Sequence, residues 1–214
     1  MLLTACGIEN IVYLEKPRRT YDTSDLNDLS RRYCEFDTAN AANTANALGY
    51  FQGTEIYYRI YERESDCITD RAAIAKYNDD NPFSAAQYLD ATKHYYRLET
   101  DQRLTRPLIG IQSSNVSVRF RLQDYGTPVS DPAQLTIAGV SQGIPQRDSR
   151  IHKRIFDREN IAIGDEDVQK ASSSTIDAFW WINFYAVSYG YDTGFRPLYS
   201  SLEPLGTIKL EKSP

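Results

Sequence analysis

The sequence predicts a mainly β protein folded as a β-sandwich. Three observations point there. Tyrosine is abundant, with 16 Tyr against 8 Phe and 2 Trp, and its apolar ring and wet hydroxyl suit half-buried strands. Several short segments alternate apolar and polar residues with the period of two that a strand requires. Turn-forming residues separate many short strands, as they do in sandwiches.

The elements follow in chain order. Ile11 to Leu14 reads as a short strand ended by Pro17. Ser24 is placed to cap a helical turn over Asp25 to Arg32, where Leu26 and Leu29 stand three apart. Tyr33-Cys34-Glu35-Phe36 reads as a strand, and the small, Asn-rich stretch from Asp37 to Ala47 as a loop. Glu55 to Glu62 is a firm strand of β-branched and aromatic residues. Its Ile56, Tyr58 and Ile60 share one face, and Tyr57, Arg59 and Tyr61 the other.

From residue 68 to 97 the composition turns helical. Asp70 to Tyr77 is Ala-rich, and Asn81-Pro82 places a capping residue before a proline at the first helical position. Phe83, Ala86, Leu89 and Lys93 keep helical spacing. Alternation returns at Val116, Val118, Phe120 and Leu122, then over Gln134 to Ala138. Residues 147–170 are highly charged, and Ser172-Ser173-Ser174 reads as a turn or loop. Phe179 to Tyr191 is a long aromatic strand, Gly190 and Gly194 mark the turn after it, and Thr207 to Leu210 is a last strand.

Composition bounds the function. The 214 residues carry 41% hydrophobic and 25% charged residues, enough for a core in one domain. The longest apolar run, Ala178 to Ile182, is far short of the ~20 residues of a spanning helix. A net charge of -5 argues against general nucleic-acid binding, which needs a basic face.

The first residues carry the strongest clue to location. Leu3-Thr4-Ala5-Cys6 resembles the lipobox of bacterial lipoproteins: an apolar residue, two small ones, then the cysteine that is lipidated. The resemblance implies a mature chain starting at Cys6 and held at a membrane surface outside the cytoplasm, periplasmic or on the cell surface. A secretory signal has an apolar region of roughly 7–15 residues before its cleavage site. Only Met1 and Leu2 stand there, so this reading takes residues 1–7 as the remnant of a longer signal. Stable anchoring needs more than one acyl chain, and the family carries up to three.

Two further segments resemble fibronectin type III-like modules of the immunoglobulin-like sandwiches. Gly53-Thr54-Glu55-Ile56-Tyr57-Tyr58-Arg59-Ile60-Tyr61 is similar to that family's third strand. Tyr185-Ala186-Val187-Ser188-Tyr189-Gly190-Tyr191-Asp192, followed by Pro197-Leu198-Tyr199-Ser200, is similar to its penultimate strand, turn and start of the final strand. Phe184 or Tyr185 would then be the corner aromatic, and Tyr33 and Phe36 would stand in for a tryptophan the family carries. Such a module has about 100 residues. The excess implies one sandwich domain over residues 8–214, with a helical insertion at about 63–115 and a further excess over 139–177. Lipobox and strand segments together are similar to small lipoproteins of spirochaete-like bacteria.

Candidate sites are few. Beyond Cys6, Cys34 and Cys67 form either a disulfide, suited to an oxidising compartment, or two isolated buried thiols. His94 and His152 are the only histidines. His94 reads as structural rather than as a general base, and His152 as part of a cationic loop. Asn78-Asp79-Asp80-Asn81 offers oxygens but lacks calcium-loop spacing and reads as a cap turn. The basic run from Arg147 to Arg158 suits an acidic polymer or lipid headgroups. The acids after it argue for self-neutralising, solvated strands. Trp180 and Trp181 face opposite ways along a strand, one into the core and the other outward or under the insertion. With Tyr57 and Tyr61 they form the candidate interaction surface. No metal site, cofactor motif or catalytic motif stands out.

The sequence thus leads to a lipid-anchored extracytoplasmic module for binding or adhesion through a protein partner. A structural subunit of an envelope assembly is the alternative, and an envelope enzyme ranks last.

Overall fold

A computed structural model describes residues 12–22, 28–47, 49–122, 132–172 and 177–212. Cys6, the Ser24 cap and Ser173-Ser174 lie outside them. In chain order the strands begin with β1 (Arg18–Arg19) and β2 (Cys34–Asp37), then helix α1 (Asn40–Asn46), β3 (Phe51–Tyr61), and helices α2 (Glu64–Asp80) and α3 (Ala85–Ala91). There follow β4 (Tyr96–Arg97), β5 (Glu99–Thr100), β6 (Ile109–Gly110), β7 (Ser117–Arg121), β8 (Gln134–Ile137), β9 (Val140–Ser141), β10 (Pro145–Gln146) and β11 (Val168–Gln169). The chain closes with β12 (Phe179–Tyr191), β13 (Pro197–Tyr199) and β14 (Glu203–Glu211).

The protein is mainly β, and its strands form two principal sheets that are almost wholly antiparallel. One sheet runs β1-β2-β7-β8-β9. The larger is built on the antiparallel pair β3 and β12, registered from Trp181 opposite Tyr61 to Gly190 opposite Phe51. β14 and β13 follow one another along the far side of β12. β6, β4 and β11 follow along the far side of β3, with β11 parallel to it.

The period of two explains both faces of this sheet. Ile56, Tyr58 and Ile60 of β3, with Trp180, Ile182, Phe184 and Ala186 of β12, face the smaller sheet. There they meet Cys34, Phe36, Val118, Phe120 and Leu135, and the Phe120 and Phe184 rings pack edge to face with centroids 5.0 Å apart. Tyr57 and Tyr61, with Trp181, Tyr185, Val187 and Tyr189, face the other way. Cys67 and Ile74 of α2 and Ala85, Ala86 and Leu89 of α3 cover them. The result is sheet on sheet on helices, each layer burying one face of the next.

Four expectations change. Residues 37–47 are not all loop: Asn40–Asn46 is helical. Its Ala-rich composition permits a helix, and buried Asn43 fixes it from outside, accepting from Glu15 N at 2.6 Å and donating to Glu15 O at 2.9 Å and Ser188 Oγ at 3.0 Å. Residues 12–14 form no strand, and the first strand follows Pro17 instead. Phe83 keeps its spacing but points out of the α3 face and is exposed. The Cys34–Cys67 disulfide gives way to its alternative. Both thiols are free and buried, and they belong to core clusters on opposite faces of the larger sheet.

Candidate functional site

The four aromatics of the expected interaction surface are not on the surface. Relative exposure is 4% for Trp180, 8% for Trp181, 3% for Tyr57 and 0% for Tyr61. The reason is the third layer: helices cover the face that Tyr57, Tyr61 and Trp181 occupy, while Trp180 enters the core between the sheets. The Trp180 Nε1 donor is buried without a hydrogen-bond partner among the described residues, and the polar atoms of the other three are engaged internally. Trp181 Nε1 donates to Asp177 Oδ2 at 2.9 Å, Tyr57 OH to Glu55 Oε2 at 2.8 Å, and Tyr61 OH to Asp70 Oδ2 at 2.8 Å.

The charged stretch is likewise not a solvated patch at its root. Arg147 is fully buried. It donates to Asp167 Oδ2 at 2.8 Å, to Asp165 Oδ2 at 2.7 Å, and to the carbonyls of Lys153 at 3.0 Å and Asn160 at 2.9 Å. Tyr58 OH completes the shell of Asp167 at 2.7 Å. The arginine therefore ties a long connection to β3 and is withdrawn from any outside ligand.

A concave feature among the described residues lies elsewhere. A cleft of about 520 Å³ opens between α2 and the strands below it, within the range of roughly 300–1,000 Å³ typical of ligand sites. Helical spacing puts Ile68, Ala72, Ala75 and Asp79 along one wall. Leu202 and Pro204 line it from the other side, and Tyr185 and Ile74 from the packed core. Asn78 pins the helix across the gap, accepting from Leu202 N at 2.8 Å.

Two cations line this cleft, and their situations differ. Lys16 is paired with Glu203 at 2.7 Å. Arg71 donates to Thr207 Oγ1 at 3.4 Å and forms no ion pair among the described residues. Elsewhere Arg106, Arg147, Arg150, Arg154 and Arg196 each hold a carboxylate. Arg71 thus stands over an apolar lining with its charge unmatched by an acid.

Beneath it runs a directed chain of hydrogen bonds. Thr207 Oγ1 donates to Asn183 Oδ1 at 3.3 Å, and Asn183 Nδ2 donates to Tyr95 OH at 2.8 Å. Tyr95 and Tyr61 hydroxyls lie 2.9 Å apart. Because Tyr61 gives its proton to Asp70, it must accept from Tyr95. Asp70 closes the chain on Lys93 at 2.5 Å. Bonds aligned in one sense polarise one another and stiffen the set, so Arg71 rests on a fixed acceptor.

Burial holds the protons in place here. It pushes the hydroxyls of Tyr61, Tyr95 and Tyr185 well above the usual phenol range and raises the Cys67 thiol to about 11. At neutral pH none of them offers a base or a nucleophile. His94 and His152 are exposed and do not line the cleft. Asn78 to Asp80 form the last turn of α2, where Asp80 pairs with Lys76 one turn away, and Asn81 lies between that helix and the next helical segment without a side-chain cap bond. Among the described residues no group of three or more His, Cys, Asp or Glu side chains is placed to hold a metal ion, and no helix is long and apolar enough to cross a membrane.

Arg71 did not stand out in the sequence, and Tyr185 did so only as a candidate corner aromatic, not as part of a cleft. Their meeting depends on α2 crossing strands far along the chain, which no local spacing encodes. Set against family models, characterised proteins and solved structures, the chain has no match.

Proposed function

We propose that the protein is a lipid-tethered, extracytoplasmic binding module of the bacterial lipoprotein type, acting through contacts with a protein partner. In this reading the two sheets form a fibronectin type III-like sandwich, and the helices between β3 and β4 are an insertion that supplies one wall of the binding cleft. Cys6 carries the acyl chains. Arg71 carries the reading: an exposed, unpaired guanidinium on a stiff support, at the edge of an apolar cleft, suits an acidic group borne by an apolar or extended segment. Binding is favoured over catalysis because the phenols and thiol in and beneath the cleft keep their protons.

The test is a panel of short synthetic peptides, acidic, neutral and basic, titrated against the whole chain and against Arg71→Ala. Acidic peptides with apolar neighbours should bind, and Arg71→Ala should weaken them about tenfold or more, the worth of one hydrogen bond to a charged group. Equal binding of acidic and basic peptides, or indifference to Arg71→Ala, sinks the proposed site.

A further inference from the structure

The turn between β12 and β13 presents a side chain that the fold does not use. Phe195 is 82% exposed and sits in the left-handed region, φ 59°, where a bulky residue is rarely found. The turn that holds it is tightly built. Asp192 Oδ1 accepts from Gly194 N at 2.8 Å and from Arg196 N at 2.9 Å. Its Oδ2 accepts from Arg196 Nε at 2.7 Å. Asp192 N donates to Arg196 O at 2.9 Å, and Phe195 N to Asp192 O at 3.0 Å. An aromatic ring is therefore held out in water by a rigid frame, and strained residues of this kind concentrate where a molecule makes contacts.

Its position points to the occupant. Val12, where the described N-terminal segment begins, packs with Tyr50 and Leu198 against Leu14, Ala47 and Phe51. Tyr191 N donates to Tyr50 O at 3.0 Å, so this cluster forms the root of the Phe195 turn. Cys6 lies six residues before Val12, a reach of at most ~20 Å. The exposed residues Tyr13 and Ile111 belong to the same rim: Tyr13 adjoins Val12, and Ile111 follows Gly110, which pairs with Gly53 at the start of β3. The Asp192 carboxylate neutralises Arg196, so the turn inserts no net charge. The chain as a whole carries -5, which disfavours an anionic surface but not a neutral one.

We propose that this rim is a membrane-docking edge. Phe195 enters the boundary between headgroups and acyl chains of a lipid bilayer, beside the tether at Cys6, and stands the sandwich end-on to the surface. This rests on the lipid-tethered reading of Cys6. It adds the second attachment that a surface-bound protein uses to fix its orientation.

The experiment uses the full chain carrying Cys6→Ser, which accepts no lipid, with vesicles of neutral phosphatidylcholine. Phe195→Asn keeps the fold, because Asn tolerates the left-handed conformation, and an unchanged thermal midpoint verifies that. The vesicle-bound fraction should fall roughly tenfold with Phe195→Asn, as expected for withdrawing one aromatic side chain from an apolar phase. In a Phe195→Trp chain, brominated lipids should quench the added fluorescence, while Trp180 and Trp181 stay shielded in the core. Equal partitioning of Cys6→Ser with and without Phe195→Asn overturns the proposal, and so does an unquenched Phe195→Trp chain. A concentration-dependent dimer that Phe195→Asn dissolves, without vesicle binding, assigns the rim to a second copy and overturns it too. The mass of the N-terminal peptide from the native cell reports on the tether alone. An unacylated Cys6 overturns the anchored orientation even where vesicle binding depends on Phe195.

Discussion

Replacing Arg147 with Met tests whether the charged stretch is a buried tie or a solvated loop. The change removes a guanidinium that is fully buried, opposite Asp167, which is buried too. Asp167 would keep only Tyr58 OH among its present side-chain partners. The carbonyls of Lys153 and Asn160 would lose the donor they share. Breaking one side of a buried ion pair costs about 3–5 kcal/mol, because a charge is left desolvated and unmatched. We expect that loss in urea denaturation, as a lower midpoint at unchanged slope. Arg147→Met with Asp167→Leu should recover much of it, since two apolar groups of similar volume relieve the stranded charge. A single-variant loss under about 1 kcal/mol, the range of exposed pairs, would refute the reasoning and return residues 147–170 to the solvated state that their composition suggested.

Three further outcomes are expected. Asn43→Ala removes three hydrogen bonds that tie residue 15 to α1 and β12; it should cost about 1–3 kcal/mol and open the segment before β1 to limited proteolysis, and an unchanged cleavage pattern would count against the tie. With Cys6→Ser, a thiol reagent should label neither Cys34 nor Cys67 in the native chain and both in denaturant, whereas labelling at one rate in both conditions would show that the thiols are not buried. Stability should fall at alkaline pH. The folded Cys67 thiol titrates near 11 against an ordinary 9.0, so the folded state holds its proton longer. Its contribution is complete below pH 9 and is lost towards pH 11 at ~1.4 kcal/mol per pH unit. The phenols of Tyr58, Tyr61 and Tyr95, raised in the same sense by burial, extend the decline above pH 10. Urea midpoints that stay flat from pH 7 to 11 would contradict it.

The legible parts of the fold were those where period and burial coincide. β12 runs over the residues its aromatic alternation marks, and β3 splits its faces as Ile56 and Tyr57 foretell. The Asn81-Pro82 boundary and the alternation around Phe120 also hold. The illegible parts depended on partners far away in sequence. Asn43 makes a helix of an Asn-rich stretch by bonding to Ser188, 145 residues on. Tyr61 and Trp181 read as candidate contact residues because both faces of a strand look alike until a third layer is known to cover one. Arg147 read as surface charge because its carboxylates come 18 and 20 residues later. The cleft fared the same way: α2 was visible as a helix, but Arg71 gains meaning only from Thr207, 136 residues distant.

The central pairing of β3 with β12 has a consequence for how the chain is made. Residues in the first third of the sequence wait for residues in the last sixth before either sheet face can close. Glu15 O accepts from Ser188 Oγ, 173 residues later, and Arg19 N donates to Glu203, 184 residues later. Closing such long loops is entropically costly and slow. A nascent chain therefore emerges with its aromatic strands unpaired until almost the whole sequence is present. That delay leaves the apolar faces of β3 uncovered until β12 and β14 are made, the interval in which unpaired aromatic strands are most exposed to aggregation.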